Sequence, residues 1–223
     1  AQGYLKESLV NYLTLLGWSP GNDNEIFEID DTIAKFSLDS VSKTSAIYDT
    51  NKLAWMNGIY LRELDLDYIT EETIPFLIEK NLIKEDKVKE KYDYIRRVVD
   101  AVREKVKLLP EIADASEYFF KEISEYDPKG IEKRFKNENA IKLLSEGIEA
   151  LKNAQDFEVD AVEKIYRDLI DKLEIKGGDI IHPTRLAISG KTVGPGLFDI
   201  ISILGKEECL KRMGNAIEFI KTL

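Results

Sequence analysis

The most informative part of the sequence covers residues 182–204 and reads HPTRLAISGKTVGPGLFDIISIL. Glycines and basic residues separate two apolar helical patterns here, which predicts a rigid polar turn directly before a helix. Arg185, Lys191 and Thr192 carry donors that can contact phosphate groups or base edges. The rest of the chain is interpreted as the scaffold around this turn.

A nucleotide-hydrolysing site is disfavoured in this stretch. Gly190, Lys191 and Thr192 resemble the tail of a phosphate-binding loop, but that pattern requires a glycine where Arg185 stands. No strand is predicted before it. His182 precedes Pro183 and is interpreted as a hydrogen-bonded structural histidine in the first turn of a helix or in the loop before it.

Composition and charge restrict the function classes. The chain has 223 residues, 43% of them apolar, a net charge of −10 and one cysteine. No apolar run reaches the roughly 20 residues of a membrane span, and no secretory signal pattern appears, so we expect a cytoplasmic protein without membrane contact. Cys209 falls in a helical pattern and is predicted to be an inert buried thiol.

The apolar spacing predicts helices throughout. From Val88 to Leu109 apolar residues recur in steps of four and three, which predicts one long amphipathic helix with basic residues on its other faces. Further helices are predicted at 110–122, 140–152, 158–174, 179–189 and 206–222. The predicted fold class is all-α, as an elongated array of helical bundles.

Catalytic chemistry is poorly supported by the residues. One histidine and one cysteine argue against zinc sites and Cys/His nucleophilic pairs, so no catalytic, metal or cofactor site is predicted in the chain. The net negative charge also confines any contact with RNA to local basic islands, such as residues 83–109. A free-standing enzyme is therefore the least favoured class.

Three stretches together resemble the C-terminal half of bacterial-type glutamyl-tRNA synthetases, a class I aminoacyl-tRNA synthetase family. They are GYLKESLVNYLTLLGWSP at 3–20, YDTNKLAWMNGIYLREL at 48–64 and RLAISGKTVGPGLFDIISILGKE at 185–207. The resemblance implies a stem-contact domain at 1–64 and two anticodon-binding subdomains at 65–128 and 129–223. No catalytic signature of the family occurs, so a fragment without the catalytic domain is expected, inactive by itself.

The resemblance also implies partners. It implies binding of tRNA-Glu, and it leaves open whether tRNA-Gln is bound as well. The chain's own N-terminal catalytic domain would use ATP and Mg²⁺ to aminoacylate the tRNA, and the expected oligomeric state is a monomer. Without the resemblance, the acidic composition favours a second reading, a free-standing helical protein-interaction module.

Residue roles follow from the same resemblance. Lys43, Lys52 and Arg62 are candidates for phosphate contacts, and Trp55 is expected in the core rather than as a stacking platform. Arg103 or Lys107 would lie near the third anticodon base.

The other anticodon bases would be read by Arg185 and the turn of Gly194, Pro195, Gly196 and Leu197. Glycines let the backbone approach a base closely, the Arg185 guanidinium supplies paired donors, and Leu197 is expected to press on a base face. Gly194 stands where the family often has a small hydroxyl residue, so no side-chain hydrogen bond is expected from that position.

Overall fold

The computed structural model describes residues 2–19, 21, 24–42 and 47–223. Within these ranges the chain forms helices and no strand, which confirms the all-α prediction. The α-helices are α1 (Lys6–Gly17), α2 (Ile29–Lys35), α3 (Thr50–Glu63), α4 (Leu66–Glu79), α5 (Tyr92–Arg103), α6 (Leu109–Ala115), α7 (Glu117–Phe120), α8 (Pro128–Gly130), α9 (Ala140–Lys152), α10 (Val159–Leu173), α11 (Gly177–Ser189) and α12 (Leu197–Ile220).

Three short helical segments complete the secondary structure. They are two 3₁₀ segments at Leu38–Ser40 and Glu85–Lys87, and a π-helical turn at Ile131–Phe135 that directly follows α8. The last long helix, α12, is interrupted at Gly205, whose backbone is not helical (φ 76°, ψ 171°). Within the described residues, no helix is long and apolar enough to span a bilayer.

The chain divides into two compact units. The first contains residues 1–90 and 102–114, and the second contains residues 91–101 and 115–223. The sequence-based division at 64 and 128 follows expected RNA-binding roles, and it stays a prediction.

The first unit is built on a core between α1 and α3. Tyr12, Leu53 and Met56 are buried there. Asn57 adds a polar link, since its side chain accepts from the Leu5 amide at 2.8 Å and donates to the Lys107 carbonyl at 2.6 Å. Both bonds satisfy buried backbone groups that no helix would satisfy.

The second unit packs α9, α10, α11 and α12 against one another. Its core includes Leu144, Val162, Tyr166, Leu186 and Met213, all fully buried. Cys209 is buried as predicted, and burial raises the pKa of its thiol to about 12. The thiol is therefore protonated and unreactive at neutral pH.

The prediction of one helix from Val88 to Leu109 is wrong at both ends. The helix covers only Tyr92–Arg103, and a second helix, α6, begins at Leu109. The Glu111 carboxylate accepts from the amides of Lys107 and Leu108 at 2.7 and 3.2 Å, as the acidic residue of a capping box does. The apolar spacing continues through this cap, so periodicity alone could not reveal the break.

Candidate nucleic-acid interface

Residues 190–196 form the turn between α11 and α12 that the sequence singles out. Gly190 ends α11 in a left-handed conformation (φ 72°), and its amide donates to the Leu186 carbonyl at 2.9 Å. A Cβ added to Gly190 would lie 2.8 Å from the Glu125 carbonyl oxygen. Only glycine therefore fits this position.

The position of this glycine also excludes a phosphate-binding loop. In such loops the Gly-Lys-Thr sequence opens a helix, whose first amides face the phosphates. Here Gly190 closes a helix, and α12 begins only at Leu197. The Thr192 hydroxyl is already engaged, since it donates to the Asp127 carboxylate at 2.6 Å. That bond and the Lys129 amide hold the pKa of Asp127 below its usual value.

Arg185 lies beside the turn, and its guanidinium bonds to the turn through Nη1. Its Nη1 donates to the Pro195 carbonyl at 2.5 Å. Among the described residues, no other acceptor bonds to its guanidinium, and no carboxylate lies within 4 Å. Burial lowers the pKa of Arg185 from its usual value, while the nearby Asp199 opposes that shift. Arg185 is thus held in place with donors to spare.

Tyr118 is a second polar group at the turn, and sequence reasoning missed it. Its side chain is 6% exposed, and its hydroxyl has no hydrogen-bond partner among the described residues. A Cβ built on Gly194 would lie 3.7 Å from Tyr118 Oη and 3.9 Å from Arg185 Nη1. The hydroxyl and the guanidinium therefore face the same exposed glycine. No sequence signal near residue 185 could reveal this, because Tyr118 comes from α7.

The other predicted turn residues divide into exposed and buried positions. Lys191, Gly194 and Gly196 are exposed, whereas Pro195 is buried. Leu197 is 3% exposed and belongs to the core. The expectation that Leu197 presses on a base face is therefore wrong, because its side chain packs inward at the start of α12.

Arg212 ties the elements around the turn together. Its side chain is buried, and Nη1 donates to the carbonyls of Tyr118 and Ile188 at 2.7 and 2.8 Å. Nη2 donates to the Lys121 carbonyl at 3.3 Å, and Nε bonds to the Glu208 carboxylate at 2.6 Å. One arginine thus joins α7, the end of α11 and α12. Its role depends on tertiary contacts, so the sequence did not predict it.

A basic groove of about 400 Å³ lies beside α9 and α11 in the same unit. Its lining includes Lys133 and Arg134 of the π-helical turn and Lys142 of α9. His182 is exposed in the second turn of α11. The placement of His182 in the first turn or in a preceding loop is wrong, because α11 already begins at Gly177 and continues through Pro183.

The first unit holds the remaining predicted contacts, and most have intramolecular roles. Lys52 pairs with Glu25 at 2.5 Å. Arg103 donates to the carbonyls of Leu61 and Leu64 at 3.4 and 3.1 Å, and so secures the end of α3. These contacts give Arg103 a structural role that the sequence did not reveal.

The other predicted positions of this part of the chain are more exposed or lie outside the described residues. The Lys107 side chain is exposed, and Arg62 is partly exposed. Lys43 lies outside the described residues. Trp55 is 43% exposed, so its placement in the core is wrong. The indole lies on the outer side of α3, because the inner side is filled by Leu53 and Met56.

Comparisons with known proteins agree with this arrangement. A family model described as an anticodon binding domain matches residues 68–217, which include the turn and the basic groove. A second model, the catalytic domain of class I tRNA synthetases (E and Q), matches residues 1–55.

Individual relatives extend the match over the whole chain. The chain is 48% identical over 222 residues to glutamate–tRNA ligase 2 of Thermoanaerobacter pseudethanolicus, covering all of this chain and 46% of that protein. It is 49% identical over 220 residues to glutamate–tRNA ligase 1 of Caldanaerobacter subterraneus subsp. tengcongensis, covering 99% of this chain and 45% of that protein. The chain thus spans about half the length of the curated relatives that it matches.

A solved structure has the same fold. The glutamate tRNA ligase of Elizabethkingia meningosepticum, crystallised in complex with its amino acid, aligns with a TM-score of 0.86 at 28% identity. The alignment covers 98% of this chain and 42% of that structure. The chain therefore has the fold of part of a glutamate tRNA ligase.

The chain belongs to the anticodon-binding-domain family, and it matches the C-terminal half of glutamate–tRNA ligases.

Proposed function

We propose that the chain is the tRNA-binding half of a glutamate–tRNA ligase and that the Arg185 turn contacts anticodon bases of tRNA-Glu. The observation that carries the proposal is the state of Arg185. One bond to the Pro195 carbonyl fixes it in place, while its other donors have no partner among the described residues. Unstacked bases of single-stranded RNA are recognised by such donors at their edges. The exposed Gly194 lets a base approach the backbone closely.

The first unit is proposed to contact the tRNA stem. Arg62 is the stronger candidate for the stem, because Lys52 already pairs with Glu25. Lys107 is the stronger candidate near the third anticodon base, because Arg103 already bonds to the Leu64 carbonyl. The exposed Trp55 lies one helical turn from Lys52 on α3 and adds an aromatic face to this surface. The functional division remains a stem-contact domain at 1–64 and two anticodon-binding subdomains at 65–128 and 129–223.

Aminoacylation itself is proposed to need the rest of the ligase. Within the described residues, no cluster of three or more metal-ligating side chains occurs, and Gly-Lys-Thr closes a helix instead of opening one. We assign the binding of ATP and Mg²⁺ to an N-terminal catalytic domain. We expect a cytoplasmic monomer, inactive as the isolated chain.

Titration against RNA tests the proposal. The chain is mixed with tRNA-Glu, tRNA-Gln or an unrelated tRNA at two salt concentrations, and binding is followed by fluorescence anisotropy. We expect salt-dependent binding that prefers tRNA-Glu, because counterion release and base contacts both contribute. A folded chain that binds none of these RNAs would contradict the proposal and favour an acidic protein-interaction module.

A further inference from the structure

Some cations of the second unit pair with carboxylates, and others, including those of the basic groove, have no such partner among the described residues. Lys136 pairs with Glu132 at 2.5 Å, and Lys152 pairs with Glu149 at 2.6 Å, as exposed helical lysines commonly do. By contrast, no carboxylate within the described residues lies within 4 Å of the cationic groups of Lys133, Arg134 or Lys142. Three positive charges therefore converge on one groove without neutralisation.

The rest of the lining does not cancel this charge. Asp179 is the only acidic residue of the lining, and it accepts from the Lys176 amide at 3.2 Å as part of a helix cap. Asn137 and Asn139 contribute neutral polar groups, and Leu173 contributes apolar surface. In a chain of net charge −10, this groove is a local site of attraction for anions.

The groove and the Arg185 turn are connected by helix α11. Pro183 of α11 lines the groove, and His182 lies one helical turn before Arg185 on the same face of the helix. His182 lies close enough to both Arg134 and Arg185 that their charges, after burial, lower the pKa of its imidazole. Arg134 of the groove and Arg185 of the turn thus both lie near His182.

We propose that this groove holds the phosphodiester backbone of the RNA strand whose bases contact the Arg185 turn. The inference rests on the proposed function and adds the path of the strand. Lys133, Arg134 and Lys142 position the backbone and carry no sequence information, whereas Arg185 reads bases. A phosphodiester fits because several separate cations line an extended groove, and each can neutralise one phosphate.

A matched pair of double variants tests this path in the full chain. Lys133→Gln with Lys142→Gln removes two exposed groove lysines. Lys164→Gln with Lys172→Gln removes two exposed lysines of α10 that have no carboxylate partner among the described residues. Both double variants change the net charge equally, so any difference between them reports position rather than total charge.

The readout is the slope of log affinity for tRNA-Glu against log salt concentration. We expect the groove variant to reduce the magnitude of that slope by about 1.4, which is about 0.7 for each lost single-strand phosphate contact. The groove variant should also weaken binding to all anticodon variants alike. The α10 variant should leave the slope unchanged. Equal slopes for the two variants would overturn the inference while leaving the proposed function intact.

Two other outcomes are also decisive. If the unsubstituted chain shows no preference for tRNA-Glu, the proposed function fails and the inference fails with it. If poly-glutamate binds the unsubstituted chain, and only that binding is lost in the groove variant, the groove receives an acidic protein segment instead of RNA.

Discussion

Arg212 and Arg185 belong to the same unit and both donate to backbone carbonyls, yet they do different work. Arg212 is buried, and four of its five N–H groups donate, to three carbonyls and the Glu208 carboxylate. Arg185 makes one hydrogen bond among the described residues, to the Pro195 carbonyl. The bonds of Arg212 hold the elements around the turn in place, whereas Arg185 keeps donors available for a ligand. An arginine contributes to recognition when its position is fixed but its donors are not used up.

Removing Arg212 should have the largest effect. Arg212→Ala leaves buried carbonyls without donors and removes the partner of Glu208, so we expect a loss of about 3 kcal/mol in the free energy of unfolding. Arg167→Ala is the control, because Arg167 is exposed and pairs with Glu163 only one helical turn away. It should cost under about 0.5 kcal/mol. Urea denaturation measures the free energy of unfolding of both variants. Similar losses in the two would show that Arg212 does not hold these elements together.

Gly190→Ala should have the next largest effect. The left-handed backbone and the close Glu125 carbonyl together should cost about 2 kcal/mol of stability. Gly214→Ala is the matched control, since nothing lies within 4 Å of its Cβ position inside α12. It should stabilise the protein by about 0.5 kcal/mol. Thermal unfolding measures the stability change in both variants. Changes of the same sign in the two variants would contradict strain at Gly190.

Tyr118→Phe should have the smallest effect on stability. Because its hydroxyl has no partner among the described residues, its removal should leave stability unchanged or raise it by up to about 1 kcal/mol. Tyr94→Phe removes a hydroxyl that donates to the Phe119 carbonyl at 2.7 Å and should cost about 1 kcal/mol. A clear loss in Tyr118→Phe would mean that its hydroxyl is bonded in solution. Urea denaturation of the two variants is the measurement.

The sequence predicted most helices and the position of the turn, because apolar spacing and glycine are local signals. It failed where tertiary contacts decide. The burial of Leu197 depends on packing at the start of α12. The break before α6 was missed for a different reason, because the apolar spacing continues through the local Glu111 cap. The prediction that Trp55 lies in the core is wrong, because neighbouring residues of α3 fill the core instead. Tyr118 and Arg212 act through partners far away in the chain, which no local pattern reveals.

We propose that Arg185 reads anticodon bases while other basic residues supply general attraction. The direct test compares Arg185→Ala, Arg185→Lys and Arg62→Ala for binding to tRNA-Glu and to its single-base anticodon variants. Arg185→Lys keeps the positive charge but loses the planar set of guanidinium donors. This variant therefore distinguishes base recognition from a purely electrostatic effect.

We predict that both Arg185 variants reduce discrimination among anticodons about tenfold or more, whereas Arg62→Ala weakens binding of all these RNAs equally. An equal loss of affinity for every anticodon variant in the Arg185 proteins would show that Arg185 does not read bases.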